Sequence, residues 1–292
     1  MIARRLSLAF TVALALLTYC VMVSAPGVVD PEFGSTIYVL FALALTVIFG
    51  LTFLALRFAT AGSRIYWSSG SGSQQVGRIA LLIAAALAIH LCVSWFFEIQ
   101  GRLGETASVV SLIVWITVPT AFLACGFVTW PVRLQSASKL RLIIAGLAAF
   151  GLASFVSYLK FATAPEGHRI AAIDQLSSQL ATLVAAAAAE EVVFRILLLT
   201  ALLSLTRSRF SAVFLSSVFF GLTHAPLALM QPVVHADWPM LAYAAQSYLP
   251  HFLMQTLLGL VLGIIWLRTG SVGLIVVTHA IVNLGPNLFR DF

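Results

Sequence analysis

Long apolar runs separated by short polar connections set the pattern of this 292-residue chain. The first runs from Leu6 to about Ala25 behind Arg4 and Arg5, long enough to cross a bilayer. It ends in Val23-Ser24-Ala25, which resembles a signal-peptidase site, but the many runs beyond it favour an uncleaved first helix. Further spans are expected at about 36–57, 79–97, 108–130 and 140–162, then a longer segment at about 173–206, then about 210–228, 248–267 and 271–288. The pattern predicts an all-α, polytopic transmembrane helical bundle of about 8–9 spans. Residues 1–135 form accessory helices with little chemistry, and the catalytic core lies in the C-terminal half, over about 140–290.

One run breaks the apolar rule. In Ala185-Ala-Ala-Ala-Ala-Glu190-Glu191-Val-Val-Phe-Arg195, two carboxylates and a guanidinium sit at membrane depth. Ionisable groups there are costly and mark a functional site by default. On a helix Glu191 and Arg195 share a face, with the acid on the favourable N-terminal side. Glu190 points about 100° away from Glu191, so Arg195 cannot serve both acids equally. The simplest arrangement is a neutralised Glu191–Arg195 pair and a working carboxylate, Glu190. A purely structural polar cluster that pins helices together is the alternative.

Composition agrees with the spans: 61% of residues are hydrophobic and 9% charged, against about 25% charged in soluble domains. The net charge of +6 is a topological signal and no nucleic-acid footprint, since no basic stripe alternates with exposed aromatics. With the N-terminus cytoplasmic, the inner connections carry eleven of the 16 basic residues and no acid, and the outer ones carry four basic residues and eight of the 10 acids. That asymmetry places the N-terminus inside. The expected location is a bacterial inner membrane. Cys20, Cys92 and Cys125 fall within apolar spans without metal-ligand spacing and read as packing residues. The Gly/Ser-rich stretch 67–73 reads as a flexible cytoplasmic loop. Trp238, Tyr243 and Tyr248 read as interfacial anchors in an outer loop. His90, alone on an apolar helix, reads as a satisfied bundle histidine.

Two later spans add chemistry. Phe220 and His224 lie four apart, and His279 and Asn283 repeat the spacing. Each pair alone is compatible with interhelical hydrogen bonding. Together, an acid, two histidines and an amide on three spans suit peptide hydrolysis. A carboxylate and a histidine hold and deprotonate a water, and a second histidine and an amide bond the oxyanion. Zinc is the competitor, but no HExxH supplies a local ligand pair, so no metal or other cofactor is expected. Ser216 and Ser217 share a span with His224 but lack a nucleophile elbow.

Glu190-Glu191-Val-Val-Phe-Arg195 fits EExxxR, Phe220 to His224 fits FxxxH, and His279 to Asn283 fits HxxxN. In that order the chain resembles the CPBP family of intramembrane glutamic endopeptidases, the CAAX proteases and bacteriocin-processing enzymes also called the Abi family. Gln255, Gly259, Gly263 and Arg268-Thr-Gly-Ser271 are similar to the family's penultimate helix and turn. The resemblance spans about 140–290 and leaves the first four spans unexplained. It implies that Glu190 activates water with His224, that His279 and Asn283 line the oxyanion hole, and that Glu191, Arg195 and Phe220 orient the site without metal. The implied partner is a membrane-anchored or lipid-modified peptide substrate within the lipid bilayer, and no nucleic acid. A catalytically silent membrane scaffold or chaperone, binding a peptide or prenyl group in the same cavity, is the rival. A proton-coupled transporter would use the acids as a relay, but it predicts paired inverted halves, and the charge-poor first half shows no match.

Overall fold

The computed structural model describes residues 54, 66–70, 72–162, 169–170, 173–287 and 289–290. Apart from Leu54, the expected spans at 6–25 and 36–57 lie outside these residues. The other seven are all helical. They comprise α1 (Gly72–Ile99), α2 (Leu103–Ala124), α3 (Lys139–Ala162), the run from α4 (Ile173–Glu191) through a π-helical segment (Val192–Leu199) to α5 (Thr200–Thr206), α6 (Arg209–Leu222) with α7 (Ala225–Ala228), α9 (Trp238–Thr269) and α10 (Val272–Asn287). A short α8 (Met230–Val234) precedes α9. Among the described residues four helical stretches, Gly72–Ile99, Ala107–Ala124, Lys139–Tyr158 and Arg209–Leu227, are long and apolar enough to cross a membrane, and two shorter apolar ones join them. The outward faces keep large apolar side chains exposed, among them Phe96, Ile113, Leu147 and Phe150. A soluble surface would not present so many. The protein is an all-α helical membrane bundle.

Several boundaries differ from the sequence reading for local reasons. The expected span 108–130 stops at Ala124, because Gly126 takes a left-handed backbone with φ 71°. The last helix but one begins ten residues before the expected start, at Trp238, where Asp237 caps the helix by accepting from the Met240 amide at 2.9 Å. Trp238 and Tyr248 therefore lie on α9 and not in a loop, and Tyr248 is turned into the bundle. The stretch at 67–73 is no free loop either. Trp67–Ser68 (β1) pairs antiparallel with Val132–Arg133 (β2), with Trp67 opposite Arg133. Trp67 Nε1 donates to the Gly270 carbonyl at 3.0 Å, and its ring stacks on Trp266 at 5.4 Å. Gly270, at φ 59°, ends α9 in a left-handed cap, and a Cβ there would lie 2.6 Å from Tyr66 Cβ. At the opposite end of the bundle Arg169–Ile170 (β3) pairs with Phe289–Arg290 (β4). Cys92 and Cys125 are exposed rather than packed, and Cys20 lies outside the described residues.

The run from α4 through the π-helical segment to α5 is the central element. Val193, Phe194, Leu197 and Leu198 pack into a cluster with α1, α2 and α6, whereas Ile196 and Leu199 pack into a second with α3, α9 and α10. A π turn carries one extra residue, which rotates the downstream side chains by about 100° and lets one helix feed two cores. Its wider turn frees carbonyls, and hydroxyls take them up. Thr200 donates to the Arg195 carbonyl five residues back, and Ser216 donates from α6 to the Phe194 carbonyl at 2.7 Å. Ser217 donates to Val213 within its own helix at 2.7 Å. Both serines are buried backbone ties.

Helices α6 and α9 approach closely where Gly259 faces Ser217. A Cβ on Gly259 would meet Ser217 Cβ at 2.8 Å and Cα at 2.9 Å, so backbone and not merely a flexible tip resists it. Small residues at such crossings are how membrane helices gain contact without a hydrophobic drive between them. Gly259→Val is expected to destabilise the fold by about 1–3 kcal/mol through overpacking. Gly151→Ala, with nothing within 4 Å of the added carbon, should be neutral or stabilising. Thermal unfolding of both variants in detergent checks the contrast.

Candidate active site

The end of α4 brings two adjacent glutamates into unlike surroundings. Glu191 is fully buried, and so is Arg195, its partner at 3.1 Å between Oε1 and Nη1. The same Glu191 oxygen accepts from His279 Nδ1 of α10 at 2.9 Å. Phe220 of α6 lays its ring 4.3 Å from the Arg195 guanidinium carbon, a cation–π contact that covers the charge where hydrogen bonds do not. Among the described residues none of Arg195 Nε, Nη1 and Nη2 makes a hydrogen bond, so the ring and the one ion-paired carboxylate are what this face of the bundle offers it.

Glu190 points elsewhere. Its side chain is 23% exposed, and it faces two imidazoles. Oε1 lies 3.9 Å from His224 Nε2 and Oε2 lies 3.6 Å from His279 Nε2. His224 is itself 28% exposed, whereas His279 is 1% exposed. The orientation of each ring is set by its other nitrogen. His224 Nδ1 lies 2.9 Å from the Phe220 carbonyl, which can only accept, so Nδ1 carries the proton and Nε2 is turned to Glu190. His279 Nδ1 is held by the Glu191 carboxylate in the same way. The Glu190 separations exceed direct hydrogen-bond length, the spacing at which a third group shared between the partners bonds to both.

Phe220 is the hub of the packing. Its ring meets His224 edge-on at 5.0 Å, His279 at 5.8 Å and Phe194 at 5.3 Å, and it is fully buried. Arg195 below and the two histidines beside it thus share one aromatic support. Asn283 lies one turn beyond His279 on α10, half-buried. The structure therefore draws Glu190, Glu191, Arg195, Phe220, His224 and His279 together from four helical elements and sets Asn283 on the same helix as His279. The sequence reading of Glu191 as neutralised by Arg195 is incomplete, because His279 takes the same oxygen.

Two residues of this neighbourhood escape the sequence reading. Tyr248 donates its hydroxyl to the Gly221 carbonyl at 2.6 Å, tying α9 to the end of α6 beside His224. His251, exposed on α9, has its ring 6.4 Å from that of His224 and lies 3.4 Å from the Gln255 amide nitrogen. Tyr248, His251 and Gln255 fall on one face of α9 by helical spacing, a signal that placing Tyr248 in a loop conceals. His90 also departs from expectation: it is buried, but its Nδ1 has no hydrogen-bond partner among the described residues. Among the described residues no group of three or more histidine, cysteine, aspartate or glutamate side chains is arranged to hold a metal ion.

The Glu191–Arg195 pair generates a stability prediction. Replacing Glu191 by Gln keeps the shape but strands the buried Arg195 charge, which is expected to cost about 3–5 kcal/mol. Adding Arg195→Met to that variant removes the stranded charge and should restore part of the loss. Unfolding of the two single variants and the double variant in detergent measures the coupling.

A family model described as type II CAAX prenyl endopeptidase Rce1-like matches residues 172–285, which include every site residue above but not α1, α2 or α3. No curated protein and no solved structure matches the chain. Residues 172–285 of this integral membrane protein are therefore similar to the Rce1-like type II CAAX prenyl endopeptidase family.

Proposed function

We propose that the chain is an intramembrane endopeptidase of glutamic type, in which Glu190 and His224 activate water against a peptide bond. The observation that carries this reading is the contrast between the two glutamates. Glu191 is buried and occupied by Arg195 and His279, while Glu190 is partly exposed between two imidazole Nε2 atoms at 3.9 and 3.6 Å. A free carboxylate flanked by oriented imidazoles is the arrangement general-base activation of water requires. The CAAX prenyl endopeptidase family of residues 172–285 supports a membrane-associated protein substrate.

In this mechanism Glu190 takes a proton from water held against His224. The hydroxide oxygen bonds to the scissile carbonyl carbon, and the carbonyl oxygen becomes an oxyanion. His279 and Asn283 donate to that oxyanion, for which His279 must carry a proton on each nitrogen. Collapse breaks the carbon–nitrogen bond, and the proton on Glu190 passes to the amine leaving group. Glu191, Arg195 and Phe220 hold the histidines in register. The chemistry calls for no metal. Residues 140–290 would form the protease domain of a CPBP-type enzyme, and residues 1–135 accessory helices around it. The substrate class is a membrane-anchored peptide ending in a CAAX-type or sorting signal, cleaved in a bacterial inner membrane with the protein's N-terminus cytoplasmic. Basic residues gather at one end of the bundle, with Arg78, Arg133, Lys139, Arg207 and Arg268 near the β1–β2 pair, which supports that orientation.

The test is cleavage of prenylated and unprenylated CAAX-type peptides by purified protein in detergent, wild type beside Glu190→Gln, with and without a strong chelator. Wild-type product that falls by at least about 100-fold in Glu190→Gln and is indifferent to chelator is expected. Equal product from the two proteins overturns the role of Glu190. Product lost to chelator and restored by zinc replaces the glutamic mechanism with a metal one. Peptide binding without product from any member of the panel favours a scaffold.

A further inference from the structure

Helix α1 lies outside the matched family segment, yet it borders the site. Its buried face is apolar at Ile79, Leu82, Ile83 and Ala86, and these pack in one cluster with Ala189, Phe194 and Phe220. Those three are the chain neighbours or supports of Glu190, Arg195 and His224. One turn further the same face becomes polar, with His90, Ser94 and Glu98 buried at four-residue spacing. Helical geometry stacks all three on a single stripe.

The stripe is poorly served by protein partners. His90 is 1% exposed and Ser94 is fully buried, and neither His90 Nδ1 nor Ser94 Oγ has a hydrogen-bond partner among the described residues. Glu98, at the end of the stripe, meets His235 from the connection after α8 at 3.2 Å. His90 stands one turn beyond Ala86, and His224 one turn beyond Phe220, and Ala86 and Phe220 share that cluster. Nearly all buried polar atoms are bonded to protein or to ordered water, and a buried water typically joins two to four of them. Two such atoms one turn apart on the buried face that continues past the Phe220 cluster meet that description. A histidine kept only for bulk would leave its nitrogens no reason to lie on this face.

We propose that His90 and Ser94 bind a water between α1 and His224, and that His90 is thereby a positioning residue of the active centre, contributed by the half of the chain that the family segment does not cover. Through that water His90 links the reacting water held at His224 Nε2 to the polar stripe that ends at Glu98. The positioning role rests on the endopeptidase reading; the water site does not.

The two parts are tested separately. X-ray hydroxyl-radical footprinting oxidises a buried side chain where water lies against it, and exposed His251 serves as reference. Labelling of His90 in the wild type that falls in Ser94→Val is expected, and no labelling of His90 beside a labelled His251 overturns the water site. For the positioning role, His90→Phe keeps a ring without polar atoms. It should lower kcat by about 10–100-fold with KM and melting temperature near wild type, as loss of an outer partner of a catalytic group does. His90→Asn, which retains a polar atom near Nδ1, should recover much of the rate. Wild-type kcat in His90→Phe overturns the role. If His90→Phe does not fold, Ser94→Ala decides, a several-fold lower kcat supporting the role and an unchanged kcat overturning it. Glu190→Gln runs alongside: activity there equal to wild type indicts the endopeptidase reading, and footprinting then judges the water site alone.

Discussion

The burial of the Glu191–Arg195 pair is the constraint on which the rest of the site depends. An arginine cannot shed its charge in a protein, so placing it at zero exposure in an apolar bundle obliges a carboxylate to stay beside it. Glu191 supplies that carboxylate and Phe220 supplies a ring face for the remaining guanidinium surface. Once both are committed, the free lobe of the Glu191 oxygen draws His279 Nδ1 in from α10. The charge pair thereby fixes the relation of three helical elements, α4 with its π extension, α6 and α10. A neutral core of the same volume could pack as stably, but it would leave the two histidine rings without an orientation.

The π-helical segment gives that constraint its geometry. Regular α-helix runs to Glu191 and the widened turn starts at Val192, so the pair straddles the change. The extra residue turns Phe194 toward Trp115 and Phe220 in one cluster while Ile196 and Leu199 face the other. The carbonyls loosened by the wide turn are tied by Ser216 and Thr200, so the distortion is held in place from α6 and from its own C-terminal side. On the far side, Gly259 lets α9 come close enough to α6 for Tyr248 to reach the Gly221 carbonyl next to His224. Each imidazole ring thus rests on a contact that a larger or apolar substitute would remove.

The features legible in the sequence are those that depend on cost. Charges at membrane depth stand out against apolar runs, so Glu190, Glu191 and Arg195 are conspicuous, and the four-residue spacings place Phe220 with His224 and His279 with Asn283 on shared faces. The described spans are readable from run length alone. The hidden features depend on partners distant in the chain. Nothing local says that His279 shares the Glu191 oxygen with Arg195, that the helix widens after Glu191, or that Trp67 in a Gly/Ser-rich stretch anchors on Gly270 some 200 residues away. Tyr248 is misleading because aromatic residues near a span end resemble interfacial anchors, and the Asp237 cap that begins the helix ten residues earlier is a single hydrogen bond. Cys92 and Cys125 mislead because an apolar span does not say which of its faces meets lipid.

The two glutamates show why residue type alone does not assign chemistry here. They are neighbours on one helix, differ by one step of about 100°, and end in opposite states. One faces the crowded side and is held by a permanent cation and an imidazole. The other faces the open side, where its flanking imidazoles stand beyond direct bonding distance and leave room for reacting groups. The occupied glutamate serves the open one, because the same His279 that it anchors by Nδ1 presents Nε2 to Glu190. A substitution at Glu191 therefore reaches Glu190 only through His279 and the fold, whereas one at Glu190 leaves the buried pair, the aromatic support and both ring anchors in place. That separation of support from chemistry lets a single apolar helix carry both.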